Sequence, residues 1–191
     1  MRLFVAIALP ADLRSALQRL AGGLPGARWT SPENRHLTLR FIGEVERASA
    51  NEIVEVLARV EAAPFDLEPA GVGTFGTRRQ ARHLWLGFRP APALGQLQGR
   101  IEHALRRLGL APERRKFHPH VTLARLRGVP AAKLGGYLQG QGAFTAAPFP
   151  VDRFGLYESH LGHDGAHYTL AAEFRFGPVA PAAPRAVARE G

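Results

Sequence analysis

The sequence predicts an α+β protein in which short strands alternate with amphipathic helices and with hairpins. Short runs rich in apolar and β-branched residues predict strands at both ends of the chain and in its middle. Leucine-rich stretches with helical spacing lie between those runs. Because several strands follow one another without a helix, we expect antiparallel or mixed sheets with the helices outside.

The first elements are the clearest in pattern. The apolar run 3–9 predicts a buried strand, and Pro10 then opens a helix at the position where proline is favoured. A polar turn at 31–34 precedes a strand over 36–42, which ends at a glycine. Residues 50–62 place apolar side chains at the spacing of a second helix.

The remaining elements predict a second group of strands, two helices and a closing hairpin. Further strands are expected over 65–75, 83–88, 120–126, 153–158 and 167–176, and further helices over 94–108 and 131–138. The last two strands join through a turn at 163–165. Residues 178–191 are rich in Pro and Ala without periodicity, so we expect a disordered tail there.

Composition limits the class of protein. The 191 residues suit a single domain, the net charge is +9, and all basic residues except Lys116 and Lys133 are arginine. This excess favours phosphate-bearing partners, although a bias of the whole composition would also produce it. The chain has no Cys, which excludes disulfides and thiolate metal sites, and no Gly-rich phosphate loop. Its longest apolar run is too short for a bilayer and lacks a cleavage site, so we expect no membrane contact. The absence of Cys is compatible with a reducing cytosol, and we expect a cytoplasmic location and a monomer.

A repeated tetrad carries the chemistry. Residues 36–39 (HLTL) and 120–123 (HVTL) each lie on a predicted strand, and 167–170 (HYTL) form a third copy. Alternate residues of a strand share a face, so each His lies on the same face as its Thr. Any two of the three copies could form a working pair.

The flanking residues decide between the copies. The stretch 29–45 (WTSPENRHLTLRFIGEV) resembles the first signature of the 2H phosphoesterase superfamily, and more narrowly that of the RNA 2′,3′-cyclic phosphodiesterases, historically called 2′-5′ RNA ligases. Residues 117–125 (FHPHVTLAR) resemble the second signature, in which position 118 varies. With similarity at 2–7 and 156–159, the resemblance covers residues 1–177. It places His167 on a final strand where no catalytic His is expected.

The resemblance implies a fold of two pseudo-symmetric, interleaved lobes, one of which holds both termini. The two His-x-Thr strands would then face each other across a cleft. We therefore expect one bilobal domain over 1–177, followed by the tail.

The resemblance also implies a reaction, namely metal-independent hydrolysis of 2′,3′-cyclic phosphate ends of RNA to 2′-phosphomonoesters, without a cofactor. Histidine suits it because its ordinary pKa allows both a neutral and a protonated form near pH 7. His36 is implied as the proton donor to the leaving oxygen and His120 as the proton acceptor from water. Thr38 and Thr122 would donate hydrogen bonds to the phosphate oxygens.

Two arginines are weaker candidates for substrate contacts. Arg40 lies four residues after His36, so strict alternation puts both on one face. Arg125 matches the second signature, but strict alternation puts it opposite His120 unless a bulge intervenes. The basic residues Arg114, Arg115, Lys116 and Arg127 form either a solvated turn or part of an RNA groove.

Other functions and sites stay open at this point. The same enzyme could cleave 2′,5′-linked RNA or join tRNA halves, and a non-catalytic RNA- or nucleotide-binding module could keep the fold. His160, His163 and His167 have the spacing of metal ligands, but a turn separates them. We expect core packing rather than base stacking for Trp29 and Trp85. His118 is expected at the rim of the site, and His103 on the solvent side of its helix.

Overall fold

The computed structural model describes residues 1–77, 81–162 and 165–177. Its strands are β1 (Arg2–Ala8), β2 (Ala27–Trp29), β3 (His36–Glu44), β4 (Phe65–Leu67), β5 (Pro69–Thr74), β6 (His83–Phe88), β7 (Val121–Leu126), β8 (Phe149–Val151), β9 (Arg153–Gly162) and β10 (Gly165–Arg175). Its helices are α1 (Ala11–Gln18), α2 (Arg47–Leu57), α3 (Pro92–Arg107) and α4 (Ala131–Gln141). A 3₁₀ turn at Pro32–Asn34 leads into β3.

The strands form one large sheet with the order β10-β9-β1-β3-β7-β6-β5, and β2 pairs with β7 beside this path. The strand pairs in it are antiparallel, and β4 and β8 form a separate two-stranded sheet. The α+β class with an antiparallel sheet is therefore confirmed. The half that contains β3 holds both the first and the last strand, whereas the half that contains β7 takes β5, β6 and β7 from the middle of the chain and β2 from nearer its start.

A continuous apolar core lies under this sheet. The buried face of β3 and β7 contributes Leu37, Leu39, Val121 and Leu123, and α3 contributes Leu97 and Ile101 among others. Helix α3 contacts both α2 and β3. Because the helices cover this face, only the opposite face of β3 and β7 is accessible for a functional site.

Three parts of the fold differ from the predicted elements. The single strand expected over 65–75 is two strands in different sheets, since the chain leaves β4 at Glu68 and enters β5 at Pro69. Strands β2 and β8 were not predicted, because three residues are too few to show a period. Helix α2 begins at Arg47 and ends at Leu57, about one turn earlier at each end than its pattern indicated.

Some expectations concern residues that the structure does not describe. The tail at 178–191 lies outside the described residues, as do 163 and 164 of the closing turn and 78–80 of the turn before β6. In the described ranges, no helix has the length and apolar character needed to cross a membrane.

Candidate active site

The two tetrads meet where β3 and β7 join. Leu37 of β3 pairs with Val121 of β7 in antiparallel register, and both side chains are fully buried, at 0% exposure. Because neighbouring side chains alternate between faces, the His and Thr residues that flank this pair emerge together on the uncovered face. If the antiparallel register of this one observed pair continues to its neighbours, it predicts His36 beside Thr122 and Thr38 beside His120. Residues at such diagonal positions have Cα atoms about 7–8 Å apart.

The loop before β3 is held from both sides, which positions His36. Arg35 is 3% exposed, and its guanidinium donates to the Thr30 carbonyl at 3.0 Å and to Gln18 Oε1 at 2.8 Å. Asn34 Nδ2 donates to the Ala166 carbonyl on β10 at 2.7 Å. These bonds tie the start of β3 to α1 and to the last hairpin.

Aromatic rings surround the His36 imidazole. Its ring stacks on Phe4 at 4.8 Å between centroids, and Tyr168 meets it edge-on at 5.0 Å. Tyr157 lies parallel to it at 5.9 Å. Burial among these rings lowers the pKa of His36 to about 4, because a charged imidazole loses its hydration there. The free protein therefore holds His36 neutral at pH 7.

His120 has a defined proton position. Its Nδ1 lies 2.7 Å from the His118 carbonyl oxygen, and because a carbonyl only accepts, Nδ1 carries the hydrogen. In the neutral ring, Nε2 then has a free lone pair. Burial lowers the pKa of His120, and the His118 ring acts in the same direction, whereas the hydrogen bond to the His118 carbonyl opposes the shift. The ring is perpendicular to that of Phe75, with centroids 5.0 Å apart.

Each motif strand carries a β-bulge directly after its Thr. On β3, Thr38 pairs with Ala6 and Arg40 with Val5, so Leu39 is the extra residue. On β7, Thr122 pairs with Trp85 and Ala124 with Leu84, so Leu123 is the extra residue. An extra residue reverses the alternation that follows.

The bulge on β3 overturns the expected position of Arg40. Its side chain is 8% exposed and turns to the helix-covered face, where Nε donates to Glu102 Oε2 of α3 at 2.6 Å. It also donates to the carbonyls of Phe41 and Ala111. The expectation that Arg40 shares a face with His36 is therefore wrong, and Phe41 takes that place, 61% exposed.

The bulge on β7 has the opposite consequence for Arg125. After the extra residue, Arg125 emerges on the face of Thr122, and its side chain is exposed. The bulge that would reconcile its position with the second signature is thus present. The sequence signal for this bulge was the pair of successive apolar residues Leu123 and Ala124. In a regular strand with one solvent-facing side, two consecutive side chains are rarely both buried.

The third tetrad lies elsewhere. Tyr168 contacts His36, and because neighbours alternate, His167 points away from that ring and is exposed. His167 pairs with His160, whose Nε2 is 3.7 Å from Glu158 Oε2, and His163 lies outside the described residues. Among the described residues, no group of three or more His, Cys, Asp or Glu side chains is placed to hold a metal ion.

The remaining candidates divide between core, rim and solvent. Trp29 packs against the core and near Tyr137, as expected. Trp85 does not belong to the core, because Leu84 and Leu86 take the buried face of β6 and the indole lies beside Phe75 and His118. His118 is at the rim, and His103 is exposed on α3. The basic residues of the turn are solvent-exposed, namely Arg114, Arg115, Lys116 and Arg127.

Sequence reasoning missed the residues that shape the imidazole environments. Phe4, Tyr157 and Tyr168 come from β1, β9 and β10, and Phe75 directly follows β5. These aromatic residues reach the motifs only because of the order of the strands in the sheet. The local sequence around the tetrads does not indicate that order.

Comparison with known proteins finds a family and close folds. A family model described as "LigT like Phosphoesterase" matches residues 7–85 and 88–168. An RNA 2′,3′-cyclic phosphodiesterase of Thermotoga maritima is 33% identical over 92% of this chain and 96% of its own length. One of Geobacillus stearothermophilus is 32% identical over 88% of this chain, which spans 55% of that protein. The crystal structure of E. coli LigT complexed with 3′-AMP has a TM-score of 0.73 at 30% identity, covering 92% of this chain and 97% of that one.

Proposed function

This chain belongs to the LigT-like phosphoesterase family, and on that premise we propose that it hydrolyses the 2′,3′-cyclic phosphodiester ends of RNA to 2′-phosphomonoesters. The observation that carries the proposal is the pairing of Leu37 with Val121, which gathers two His-Thr sets on one open face. A binding module has no need for two proton carriers on opposite sides of one phosphate position.

His120 is the proposed proton acceptor. Its Nδ1 hydrogen is committed to the His118 carbonyl, so Nε2 is the atom that takes a proton from the attacking water. The water oxygen forms a bond to phosphorus as the bond from phosphorus to the 3′ oxygen breaks on the far side. This in-line geometry requires a proton carrier at each end, and we assign these two places to His120 and His36.

His36 is the proposed proton donor to the leaving 3′ oxygen. It is neutral in the free protein, so it must gain a proton when the substrate binds. The cyclic phosphate carries a negative charge, and an opposite charge within about 4–6 Å favours the protonated imidazole. Substrate binding thus raises the pKa of His36 where the acid is needed. After the reaction, exchange with water returns both rings to their starting states.

The threonines hold the phosphate. Thr38 lies beside His120 and Thr122 beside His36 in the shared register, so each hydroxyl flanks the position between the rings. Hydrogen bonds from these hydroxyls to the nonbridging oxygens would stabilise the charge that the transition state concentrates there. Arg125 adds a positive charge on the same face, whereas Arg40 is assigned to structure and not to substrate.

The proposal includes a setting for the enzyme. The substrate is an RNA end that carries a cyclic phosphate, with tRNA fragments as one source, and residues 1–177 act as one bilobal unit. We propose a cytoplasmic monomer whose reaction uses water and the four side chains, with no cofactor.

The test is product analysis with adenosine 2′,3′-cyclic phosphate, with and without EDTA. Formation of 2′-AMP at a rate that survives chelation supports the proposal. Formation of 3′-AMP would reverse the direction of ring opening and contradict the donor role of His36. Absence of turnover would contradict the proposed hydrolysis and favour the alternative of a non-catalytic RNA- or nucleotide-binding module. A parallel reaction with a 5′-hydroxyl oligonucleotide reports any joining, in which that hydroxyl replaces water as the nucleophile at the same phosphorus and the 3′ oxygen leaves.

A further inference from the structure

Four aromatic rings lie in contact beside the second motif. The Phe75 ring has its centroid 5.0 Å from that of His120, 5.2 Å from that of His118 and 5.4 Å from that of Trp85. The Trp85 and His118 rings are also neighbours, with centroids 5.5 Å apart. The set therefore links an indole on β6 to the proposed proton acceptor. We name Phe75, Trp85, His118 and His120 the ring cluster.

The indole of Trp85 packs against the backbone of two glycines. Gly73 of β5 pairs with Trp85, and a Cβ built on Gly73 would lie 2.6 Å from Cη2 of the indole and 2.7 Å from Cζ2. A Cβ on Gly87 would lie 3.1 Å from Cζ3. Neither glycine has a positive φ, so the backbone itself would accept alanine. The space that these glycines leave is occupied by the indole.

Packing, and not a polar bond, holds this indole in place. Its Nε1 is buried and has no hydrogen-bond acceptor within the described part of the chain. A buried N–H without an acceptor destabilises a protein. The contacts that remain to fix the ring are those with the two glycines and with the ring cluster, so the position of the indole and that of the cluster depend on each other.

The ring cluster bears on the proton position of His120. The His118 carbonyl oxygen lies 2.7 Å from His120 Nδ1, and this bond leaves Nε2 free to accept a proton. His118 precedes β7, which begins at Val121. Its side chain is instead placed by the rings of Phe75 and Trp85. Because a residue's ring and carbonyl move together when its backbone turns, these two contacts also restrict where the carbonyl lies.

We propose that Trp85 is a positioning residue for His120: packed on its two glycines, it holds Phe75 and His118 where the His118 carbonyl keeps the hydrogen of His120 on Nδ1. The role of His120 as proton acceptor rests on the proposed function. Trp85 contacts no reacting atom and acts through His118. Without the indole, the neutral His120 ring divides its hydrogen between the two nitrogens, and only the form with a free Nε2 is competent.

The test reads the tautomer of His120 by ¹H–¹⁵N NMR of the substrate-free protein at about pH 7.5, where burial keeps the ring neutral by lowering its pKa. We expect the Nδ1–H form in the parent. In Trp85→Leu and in Gly73→Ala, which displaces the indole, the Nε2–H form should rise to about a quarter or more of the molecules. A mixture of tautomers in the parent itself would overturn the proposal, and that measurement needs no variant.

Kinetics with adenosine 2′,3′-cyclic phosphate give the second measurement. In Trp85→Leu and in Gly73→Ala, kcat should fall about tenfold while KM changes little, because a displaced base impairs the chemical step. Phe88→Leu removes a ring from the same strand, but that ring faces Phe149, so both kcat and the tautomer of His120 should stay as in the parent. The parental tautomer and the parental kcat in Trp85→Leu and Gly73→Ala would overturn the proposal.

A double variant separates the indole from the β5 backbone. Phenylalanine lacks the indole atoms that an alanine at position 73 would meet, keeps an aromatic ring in the cluster and removes the unpartnered N–H. Trp85→Phe alone should therefore fold and lower kcat only about twofold, and Gly73→Ala combined with Trp85→Phe should recover most of the kcat lost in Gly73→Ala. Absence of recovery would assign the loss to the strand and contradict the role of the indole.

The two proposals fail in different ways. The tautomer of His120 is measured without substrate, so it judges the positioning even if the parent does not hydrolyse adenosine 2′,3′-cyclic phosphate, which would reject the proposed function. Normal turnover by the parent, with the tautomer unchanged in the folded variants Trp85→Leu and Gly73→Ala, rejects the positioning role alone.

Discussion

Leu37 and Val121 lie opposite each other where β3 meets β7, and both are completely buried. Their pairing joins the two halves of the sheet and sets the register of the two motifs. A shift of one residue would turn His36 or His120 into the core. The site therefore depends on a hydrophobic pair that takes no part in the chemistry.

The lowered pKa values predict an acidic optimum for kcat/KM. That parameter reports the ionisation of the free enzyme, and the productive form holds one proton on the two histidines. With a pKa of about 4 for His36 and one below 6.5 for His120, this form is most populated between those values. We expect a maximum between about pH 4 and 6.5 and a decline above it. A stopped assay across the pH range checks this, and a maximum above pH 7.5 would contradict the ionisation scheme.

His36 should also make the fold sensitive to acid. Its pKa is about 4 in the folded state and near 6.5 when unfolded, so the unfolded chain binds more protons between those values and stability falls as pH decreases. From pH 7 to 4.5 we expect a loss of roughly 2–3 kcal/mol from this group. Urea unfolding of the protein and of His36→Gln measures it. A variant with the same pH dependence as the parent would disprove the burial effect.

Gly155 should be required for the aromatic environment of His36. A Cβ there would lie 2.7 Å from the Tyr157 ring and 2.8 Å from Leu170, and that ring stacks near His36. We expect Gly155→Ala to destabilise the protein by about 1–3 kcal/mol and to lower kcat/KM. Gly99→Ala is the matched control, because nothing lies within 4 Å of its Cβ and alanine favours α3 by up to about 1 kcal/mol. Equal effects of the two substitutions would contradict the packing argument.

The ion pair between Arg40 and Glu102 should stabilise the fold without serving the reaction. Glu102→Gln leaves the buried guanidinium without its main partner, although Glu113 lies 3.9 Å away, and should cost about 3 kcal/mol. The double substitution Arg40→Met with Glu102→Leu should recover much of that loss. Urea unfolding and kcat/KM below the transition check both effects. A folded double variant with strongly reduced kcat/KM would contradict this assignment, because Arg40 would then contribute to substrate binding or catalysis.

The sequence was enough to predict the class of fold, the motif strands and the face that each His shares with its Thr. These follow from local alternation and from two tetrads with matching flanks. The faces of Arg40 and Arg125 did not follow, because bulges at Leu39 and Leu123 arise from pairing with neighbouring strands. The contact of Arg40 with Glu102, 62 positions away, likewise depends on the docking of α3.

The cross-strand neighbours of Arg125 show the same limit. Arg28, His83 and Arg125 are distant in the chain, and β2 is only three residues long. A glycine precedes it, Gly26, whose backbone has φ +82° and whose Cβ, if present, would collide with the Arg127 carbonyl. That close approach of the backbones allows β2 to pack against β7. The sequence around β2 does not indicate which strand is its partner.

The most direct test of the central claim is the rate of adenosine 2′,3′-cyclic phosphate hydrolysis by His36→Ala, His120→Ala and His167→Ala, with folding verified for each. Removing either proton carrier should reduce kcat by about 10²–10⁴-fold, whereas His167→Ala, which changes an exposed ring outside the site, should retain the parental rate. Parental activity in His36→Ala or in His120→Ala would contradict catalysis by two facing histidines.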